Sequence, residues 1–581
     1  MAQLENIDVV DYVSSLLDSE KYKEALSVAV EEKYINSFKD NCWDLISIIV
    51  SKIDNNTMTI KPSLYGTCEE LLAIIVQTAT PEEALLEFIE QIEVAKNDSQ
   101  FSIILQPLQQ LLLKLPQKRG RSLEWCLNSI STYIEAIPVK EHQLEGKERL
   151  LMDCDNNIRR VIKVYTLLPP FYSPFIREVT MQDTNLKTKE IISAFLISLL
   201  GKPLLYVDLD PETNKNSEAR SCIDIVVKDI CTLVKNVYIF LPYVQLHHRE
   251  NMKTKSKNTL MDNEEEISPY DHKEKINLTT LSGLFYVILS KHFEIPESAI
   301  PLVYSNNYVC HTGLLCVNHL LNFAEYGPLT KGISLLKIML TYLPNSSSES
   351  LLSLPVHYNL CKCLINISIY SSYESIRKES VKLIREHIYK FDYKGRSLLI
   401  KHMLQFSNHS GMIGYAITLY KNSLDEAFNK PELPECFTGL QLMGMIEKMC
   451  HLPHGAESDL VELADQIISS LNFLRYLVIK DTTNKTGIKE QFSTIDRDYL
   501  DVLRMGLNMS KAHYEVKLKD IKEESNKKPE NQVEISLNVG GNVLDKIPTE
   551  NKEQIIYSAL NAFHLIEGLV ARLSECVAMS K

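Results

Sequence analysis

Glycine is the residue that this sequence most clearly lacks. Only 19 glycines occur in 581 residues, which is less than half of the usual share of about 7%. Strands, hairpin turns and phosphate-binding loops all depend on glycine, so its scarcity argues against a β-rich or nucleotide-binding fold. The shortage favours a protein built from helices.

Motifs that accompany catalysis are also missing. The sequence contains no glycine-rich phosphate loop, no His-Glu-x-x-His, no Cys-x-x-Cys and no Gly-x-Ser-x-Gly. Most enzyme sites leave some such trace, because the chemistry needs those residue types at those spacings. We therefore expect a binding protein that is not an enzyme and that uses no cofactor.

One group of residues comes close to a metal motif. Cys310, His311, Cys316 and His319 lie within ten residues, and a helix would place Cys316 and His319 on the same face. The spacing fits no common zinc motif, and the leucines and valine between these residues are typical of a buried core. No metal site is predicted here.

A run of acidic and amide residues at 208–216 alternates like a calcium-binding loop. Such a loop needs glycine at its sixth position and a bidentate glutamate at its twelfth, whereas this chain has Thr213 and Ala219 there. The run is interpreted as a polar turn.

The balance of charge points away from nucleic acid as a partner. The formal net charge is −13, and an acidic surface repels phosphate. The most basic stretch, residues 118–121 (KRGR), is short and is interpreted as a solvated loop. The thirteen cysteines are odd in number and scattered singly, which indicates a reducing compartment. We expect the cytoplasm, with the nucleus left open.

Nothing in the sequence predicts an association with membranes. The first residues carry Glu5, Asp8 and Asp11 where a signal peptide would have basic and then apolar residues. The longest apolar stretch, residues 191–200, is far shorter than the ~20 residues that cross a bilayer.

Apolar residues recur at steps of three and four along most of the chain, which is the period of an amphipathic helix. Ile104, Leu108, Leu111 and Leu112 form one such stripe before Pro116. Tandem antiparallel helices joined by short turns form a bundle or an α-solenoid, and the large number of them favours the solenoid. Since no fixed repeat period is visible, we predict an all-α, irregular HEAT-like α-solenoid of antiparallel helix pairs.

Two polar segments interrupt this pattern and suggest the organisation of the chain. Residues 249–276 are predicted to be a mobile polar loop, and residues 523–549 a disordered tether. The predicted helical repeat regions are therefore N-terminal (1–248) and C-terminal (277–522). The strongly periodic residues 550–581 are predicted to form a helix that docks back onto the array.

The stretch from 452 to 480 predicts a helix with two distinct faces. One face is aliphatic, and the other carries Asn472, Arg475, Tyr476 and Ile479 at helical spacing. Because arginine and tyrosine are enriched at the centres of protein interfaces, this second face is a candidate binding surface. The alternative is that Tyr476 packs internally and Arg475 is simply solvated.

The next predicted helix, residues 497–522, carries a largely basic side. Its members are Arg504, Asn508, Lys511, Glu515, Lys519 and Lys522. A basic stripe on an acidic protein is a second candidate binding surface, although solvation alone would also explain it.

Four segments in the last third of the chain closely resemble the glomulin family. They are SNHSG at 407–411, GAESDL at 455–460, SLNFLRYLVIKD at 470–481 and GLNMSKAHYE at 506–515. Weaker similarity near Leu105 and Trp43 extends the resemblance over most of the chain. The sequence departs from the family pattern at 422–436 and after Glu523.

This resemblance implies a specific function. Proteins of the glomulin family are HEAT-like and non-catalytic, and their C-terminal part binds the RING-finger subunit of cullin-RING ubiquitin ligases. They cover the surface on which the ubiquitin-conjugating enzyme docks, so they inhibit ligation, and any zinc belongs to the RING partner. The implied partner is that RING subunit with its cullin, bound by a chain that is a monomer on its own.

On this basis the predicted contact residues lie on the two C-terminal helices and at one earlier turn. They are Asn472, Arg475, Tyr476, Lys480, Arg504, Asn508, Lys511 and His513, with Asn408 and His409 as weaker candidates. The alternative function is a general helical-repeat scaffold for other clients, such as immunophilins or receptor tails.

Overall fold

The structure is a computed structural model, and it describes residues 8–115, 119–181, 186–210, 217–256, 276–526, 538–539, 542–543 and 549–580. Internal contacts divide the chain into two compact units, Met1–Tyr342 and Leu343–Lys581. The regular secondary structure of the described residues is almost entirely helical. The predicted all-α, HEAT-like fold class is confirmed.

The first unit is a succession of helices that pack mainly on helices one to four positions away along the chain. Its α-helices are α1 (Val9–Asp18), α2 (Tyr22–Val28), α3 (Ile35–Asp40), α4 (Cys42–Ser51), α5 (Thr57–Ile60), α6 (Pro62–Thr78), α7 (Pro81–Glu93), α8 (Asp98–Lys114), α9 (Arg119–Glu135), α10 (Asn156–Met181), α11 (Leu186–Ser198), α12 (Glu218–Leu233), α13 (Leu241–Ser256), α14 (Leu278–Leu289), α15 (Asn306–Leu320) and α16 (Tyr326–Tyr342). Short 3-10 helices connect some of them, at Gly146–Cys154, Leu204–Tyr206, Val237–Phe240 and Glu297–Ala299.

The second unit continues the same pattern and adds one minimal strand pair. Its α-helices are α17 (Val356–Tyr370), α18 (Glu374–Tyr389), α19 (Tyr393–Phe406), α20 (Ser410–Phe428), α21 (Gly439–Met449), α22 (Ala464–Lys480), α23 (Ile488–Ile495), α24 (Asp501–Asn526) and α25 (Thr549–Ser580). Its 3-10 helices are Glu349–Ser353, Glu435–Phe437 and Gly455–Glu457, and a π-helix spans Asp496–Leu500. The antiparallel strands β1 (Asn538–Val539) and β2 (Asn542–Val543) pair with each other.

Helix α8 shows why these segments become helices. Asn97 caps its first turn, since its side-chain oxygen accepts from the backbone N–H groups of Ser99 at 3.1 Å and Gln100 at 2.9 Å. The apolar stripe predicted around Leu108 is fully buried. Because capping and burial agree with the helical period, local sequence and packing specify the same structure.

The polar segment at 249–276 does not divide the two compact units. Helix α13 continues to Ser256, so the first eight residues of the predicted loop are helical. Residues 257–275 lie outside the described residues. Helices α13 and α14, on either side of this segment, pack on each other and on α15, and the boundary between units falls after Tyr342 instead.

The predicted tether at 523–549 is also helical at its start and at its end. Helix α24 runs to Asn526, and α25 begins at Thr549. The residues between them lie outside the described residues except for the β1–β2 pair. Helix α25 packs against α22 and α24.

The basic stretch at 118–121 is not a solvated loop, and that interpretation was wrong. Lys118 lies outside the described residues, but Arg119 opens α9 and is buried. Its guanidinium donates to the carbonyl of Leu112 at 3.0 Å and pairs with Glu178. A buried arginine needs such partners, and the sequence alone does not reveal a carboxylate 59 residues away.

The cysteines and histidines of α15 are part of the core. Cys310 Sγ donates to the carbonyl of Met339 at 3.4 Å, and His319 Nε2 lies 2.8 Å from Thr279 Oγ1. In the described part of the chain, no group of three or more histidine, cysteine or acidic side chains is arranged to hold a metal ion. Among the same residues, no helix is long and apolar enough to cross a membrane.

His319 makes the stability of the first unit depend on pH. Burial lowers its pKa from 6.5 to about 4, so the folded chain resists protonation at a pH where the unfolded chain binds a proton. Stability is therefore lost as the pH falls below about 6.5, by up to about 2 kcal/mol at pH 5. We expect His319→Gln to reduce the loss of unfolding free energy between pH 7 and pH 5, as measured by urea unfolding.

The matched control is His564→Gln, which changes an exposed histidine on α25. That variant should keep the pH dependence of the wild type. If the unfolding free energies of the wild type and His319→Gln depend equally on pH, His319 is not the source of the pH dependence.

Candidate functional site

Helix α22 is held rigidly by the preceding helix. Gln466 Nε2 donates to the carbonyls of Met449 and His451 at 3.1 Å each, and Ser470 Oγ donates to Met449 at 2.8 Å. These bonds satisfy carbonyls at the C-terminal end of α21, which would otherwise lack partners. The aliphatic face of α22 is buried as predicted, so its opposite face has a fixed position.

Tyr476 and Lys480, two of the predicted contacts, are bound to helix α20. Tyr476 Oη donates to Asp425 Oδ1 at 2.6 Å, and Lys480 Nζ lies 3.5 Å from the same oxygen. The bond from Tyr476, followed by the charge of Lys480, lowers the pKa of Asp425. Burial and the neighbouring carboxylate raise the pKa of Tyr476. Both side chains therefore stabilise the α20–α22 contact.

Arg475 lies on the same helix without such a partner. Its side chain is half-buried, and its Nε is enclosed yet makes no hydrogen bond to the described residues. A guanidinium presents five donors in a fixed plane, and a buried donor without an acceptor is costly. Asn472 and Ile479 are exposed beside it. The residues of this face that solvent reaches most are therefore Asn472 and Ile479.

On α24, the predicted residues Arg504 and Lys511 are engaged within the unit. Arg504 pairs with Asp496 at 3.1 Å and Asp501 at 2.6 Å and donates to Ser574 Oγ at 3.1 Å. Lys511 forms an ion pair with Glu567, and its side chain is only 16% exposed. The contacts to Ser574 and Glu567 join α24 to α25.

Asn508 and His513 complete the predicted set on α24, and both are exposed. The ring of His513 meets Tyr514 edge-on with the centroids 5.8 Å apart. Tyr514 is buried and meets Phe563 of α25 edge-on at 5.4 Å. Tyr514 therefore makes the aromatic contact that fixes α24 to α25, while His513 and Asn508 are exposed.

An exposed apolar stripe, which the sequence reasoning missed, runs along the outer face of α24. Met505, Met509 and Val516 are 60%, 50% and 55% exposed, with the exposed Ala512 between them. Steps of four, three and four residues keep all four on one face over about 16 Å. We call these four residues the α24 stripe. Exposed apolar patches rimmed by polar residues mark interaction sites.

Asn408 and His409 form the turn that starts α20. His409 Nδ1 accepts from the backbone N–H of Met412 at 3.3 Å, so its ring caps the helix. Ser410 Oγ accepts from the backbone N–H of Gln466 at 3.0 Å and fixes this turn to α22. The structure therefore gives His409 a local capping role, while Asn408 is exposed.

The other matching segments pack on one another. Residues 455–457 form a turn that lies against α24, and Gly455 has a φ of +56°, which favours glycine. A Cβ at Gly506 would lie 2.9 Å from the backbone oxygen of Ala456. The close approach of the turn to α24 therefore requires glycine at 506, while the positive φ favours glycine at 455.

Comparison with known proteins identifies the family. A family model described as an uncharacterised protein family, YAP/Alf4/glomulin, matches residues 38–539. The chain belongs to the YAP/Alf4/glomulin family. It is 28% identical to mouse glomulin over 564 residues and 28% identical to human glomulin over 565, covering 95% of this chain and 90% of each relative. The resemblance predicted from the four C-terminal segments is confirmed.

Family membership places all the predicted contact residues within the matched range. It does not distinguish exposed residues from core residues, but the geometry does. Asn472, Asn508 and His513 are exposed and Arg475 is half-buried, whereas the Lys511 side chain is only 16% exposed and forms an ion pair. The helical spacing of the α24 stripe is visible in the sequence. However, these residues are interspersed with the buried leucines of the same helix, and the sequence analysis did not tell the exposed set from the buried set.

Helix α25 packs against both α22 and α24 and has exposed residues of its own. Leu565 is 53% exposed, and Asn561 and Arg572 are also exposed. Sequence reasoning identified α25 as a docking helix but assigned no contact residue to it.

The approach of the 455–457 turn to α24 can be tested with two glycines. Gly506→Ala should lower the free energy of unfolding by about 1–3 kcal/mol, because the added methyl group meets a backbone oxygen. Gly444→Ala is the control, since nothing lies within 4 Å of its Cβ position inside α21. That change should stabilise the helix by up to about 1 kcal/mol. Urea unfolding measures the free energy of unfolding of both variants. Equal values for Gly506→Ala and Gly444→Ala would contradict the close packing of the 455–457 turn on α24.

Proposed function

We propose that this chain is a non-catalytic inhibitor of cullin-RING ubiquitin ligases. It binds the RING subunit, with its cullin, through the outward faces of α22, α24 and α25, and it blocks docking of the ubiquitin-conjugating enzyme. Family membership supports the class of partner. We choose this surface because of the α24 stripe, in which three large apolar side chains are exposed on one helix face.

The composition of this surface suits a protein partner. An apolar centre excludes water, while polar groups around it fix the orientation of the partner. The α24 stripe supplies the apolar centre, and Asn508 and His513 lie beside it. Arg475 of α22 adds a half-buried guanidinium to the proposed contact set. Arginine in this setting is a frequent source of binding energy.

Rigid helices can inhibit without catalysing any reaction. A standard interface buries about 1,600 Å² in total, and a partner that occupies this area excludes any competitor for the same surface. The ion pair between Lys511 and Glu567 and the bond between Arg504 and Ser574 hold α24 on α25. The surface is therefore formed before binding, which reduces the entropic cost of association.

The predicted residues then have two different roles. Asn472, Arg475, Asn508 and His513 contact the partner directly. Tyr476, Lys480, Arg504 and Lys511 position the helices through their internal partners, as the bond of Tyr476 to Asp425 illustrates. Changes in the second group should affect binding through the stability of the unit.

The function can be tested in a cullin-RING autoubiquitination assay titrated with the purified chain. We expect the wild type in excess to suppress chain formation. Met509→Glu should raise the concentration for half-inhibition at least tenfold, because a charge in the middle of the apolar stripe must be desolvated. Arg475→Glu should act in the same direction.

Met181→Glu is the matched control, since Met181 is 83% exposed and lies in the first unit. This variant should inhibit like the wild type. Unchanged chain formation at saturating wild type would overturn the proposed function. Full inhibition by both Met509→Glu and Arg475→Glu would overturn only the choice of surface.

A further inference from the structure

A cavity of about 320 Å³ lies in the second unit, between α21, the turn after it, α23 and the first turn of α24. Its walls are largely apolar and include Met443, Ile446, Leu452, Ile495 and Val502. Cavities that hold small ligands span about 300–1,000 Å³ and are mostly apolar with a few placed polar groups. This cavity has the size and lining of a site for a small ligand.

The walls of the cavity are fixed by contacts on several sides. Gln466 and Ser470 bind the carbonyls at the end of α21, and the 455–457 turn lies against α24 at Gly506. The floor includes Tyr499, which belongs to the π-helix Asp496–Leu500. A π-helix is rare and occurs frequently at functional sites. Arg504 of α24 pairs with Asp496 of this segment at 3.1 Å and so links the two.

Two carboxylates, Asp498 and Glu447, line the cavity together with His451. Both oxygens of Asp498 accept from Arg497, at 2.6 and 3.0 Å, so this carboxylate is already paired. Glu447 also lines the cavity, is exposed, and makes no hydrogen bond or ion pair to the part of the chain that the structure describes. Glu447 is thus the carboxylate available to a ligand, in a protein whose net charge is −13.

We propose that this cavity binds a small organic cation with a compact apolar body, such as an arylalkyl ammonium ion. The apolar body lies between Met443, Ile446 and Val502, and the ammonium group pairs with Glu447. Burial of the apolar body supplies most of the affinity, while the carboxylate selects for positive charge. This site is separate from the α24 stripe and does not depend on the proposed ligase inhibition.

Three probes of similar shape test the selectivity on the full chain: 2-phenylethylamine, 2-phenylethanol and phenylacetate. Dissociation constants are measured by NMR of ¹³C-methyl-labelled methionines, with the Met443 methyl group as the reporter. We expect the amine to bind at least fivefold more tightly than the alcohol and the acid to bind least. Glu447→Gln should remove the difference between amine and alcohol, while Glu462→Gln, an exposed control on the same unit, should keep it.

A second pair of variants tests the location. Val502→Phe should fill the cavity and weaken binding of the amine at least tenfold, whereas Met505→Phe, three residues further along α24, should leave it unchanged. If Val502→Phe does not fold, the change of the Met443 methyl signal on adding the amine to the wild type still shows whether the cavity binds it. A Met443 methyl signal that does not respond to any probe, or equal affinity for amine and acid, would overturn the proposal.

Discussion

The packing of α25 against α22 and α24 is the contact on which the proposed binding surface depends. This packing is a long-range contact along the chain. Arg504 bonds to Ser574, 70 residues away, and Lys511 pairs with Glu567, 56 residues away. Phe563 adds an aromatic contact to the buried Tyr514. The long helix α24 would otherwise have one apolar side open to water. By covering that inner side, α25 leaves the α24 stripe as the exposed apolar surface of this helix.

The internal ion pairs also decide which charges remain available to a partner. The Lys511–Glu567 pair is open to solvent on the Glu567 side, so it adds little stability, but it engages the Lys511 ammonium group within the unit. Arg504 and Lys511 are therefore less available to a partner than the sequence suggests. Arg475 on α22 forms no ion pair within the described residues, and its side chain is half-buried. The exposed apolar residues of α24 and the half-buried Arg475 are therefore the groups that remain for a partner.

The fold class could be predicted from the sequence because it depends on properties of individual helices. Scarce glycine and apolar residues at helical spacing reflect the backbone and the buried face of each helix, and both were sufficient to predict an all-α solenoid. The buried stripe at Leu108 and the aliphatic face of α22 were correct for the same reason. The roles of Arg119, Tyr476 and Lys511 were not predictable, because each is decided by a carboxylate from a distant helix. The α24 stripe was missed since Met505, Met509 and Val516 alternate with inward leucines, and only packing shows which set is covered.

The central claim is that the RING subunit covers the α24 stripe. Methionine oxidation offers a direct measurement, because exposed methionine sulfur is oxidised by hydrogen peroxide and buried sulfur is protected. The full chain carries Met505 and Met509 in the stripe and the exposed Met58 and Met181 in the first unit as internal references. With saturating RING subunit, the account predicts a several-fold slower oxidation of Met505 and Met509 by mass spectrometry and no change at Met58 and Met181. Unchanged oxidation of Met505 and Met509 in the saturated complex would contradict it.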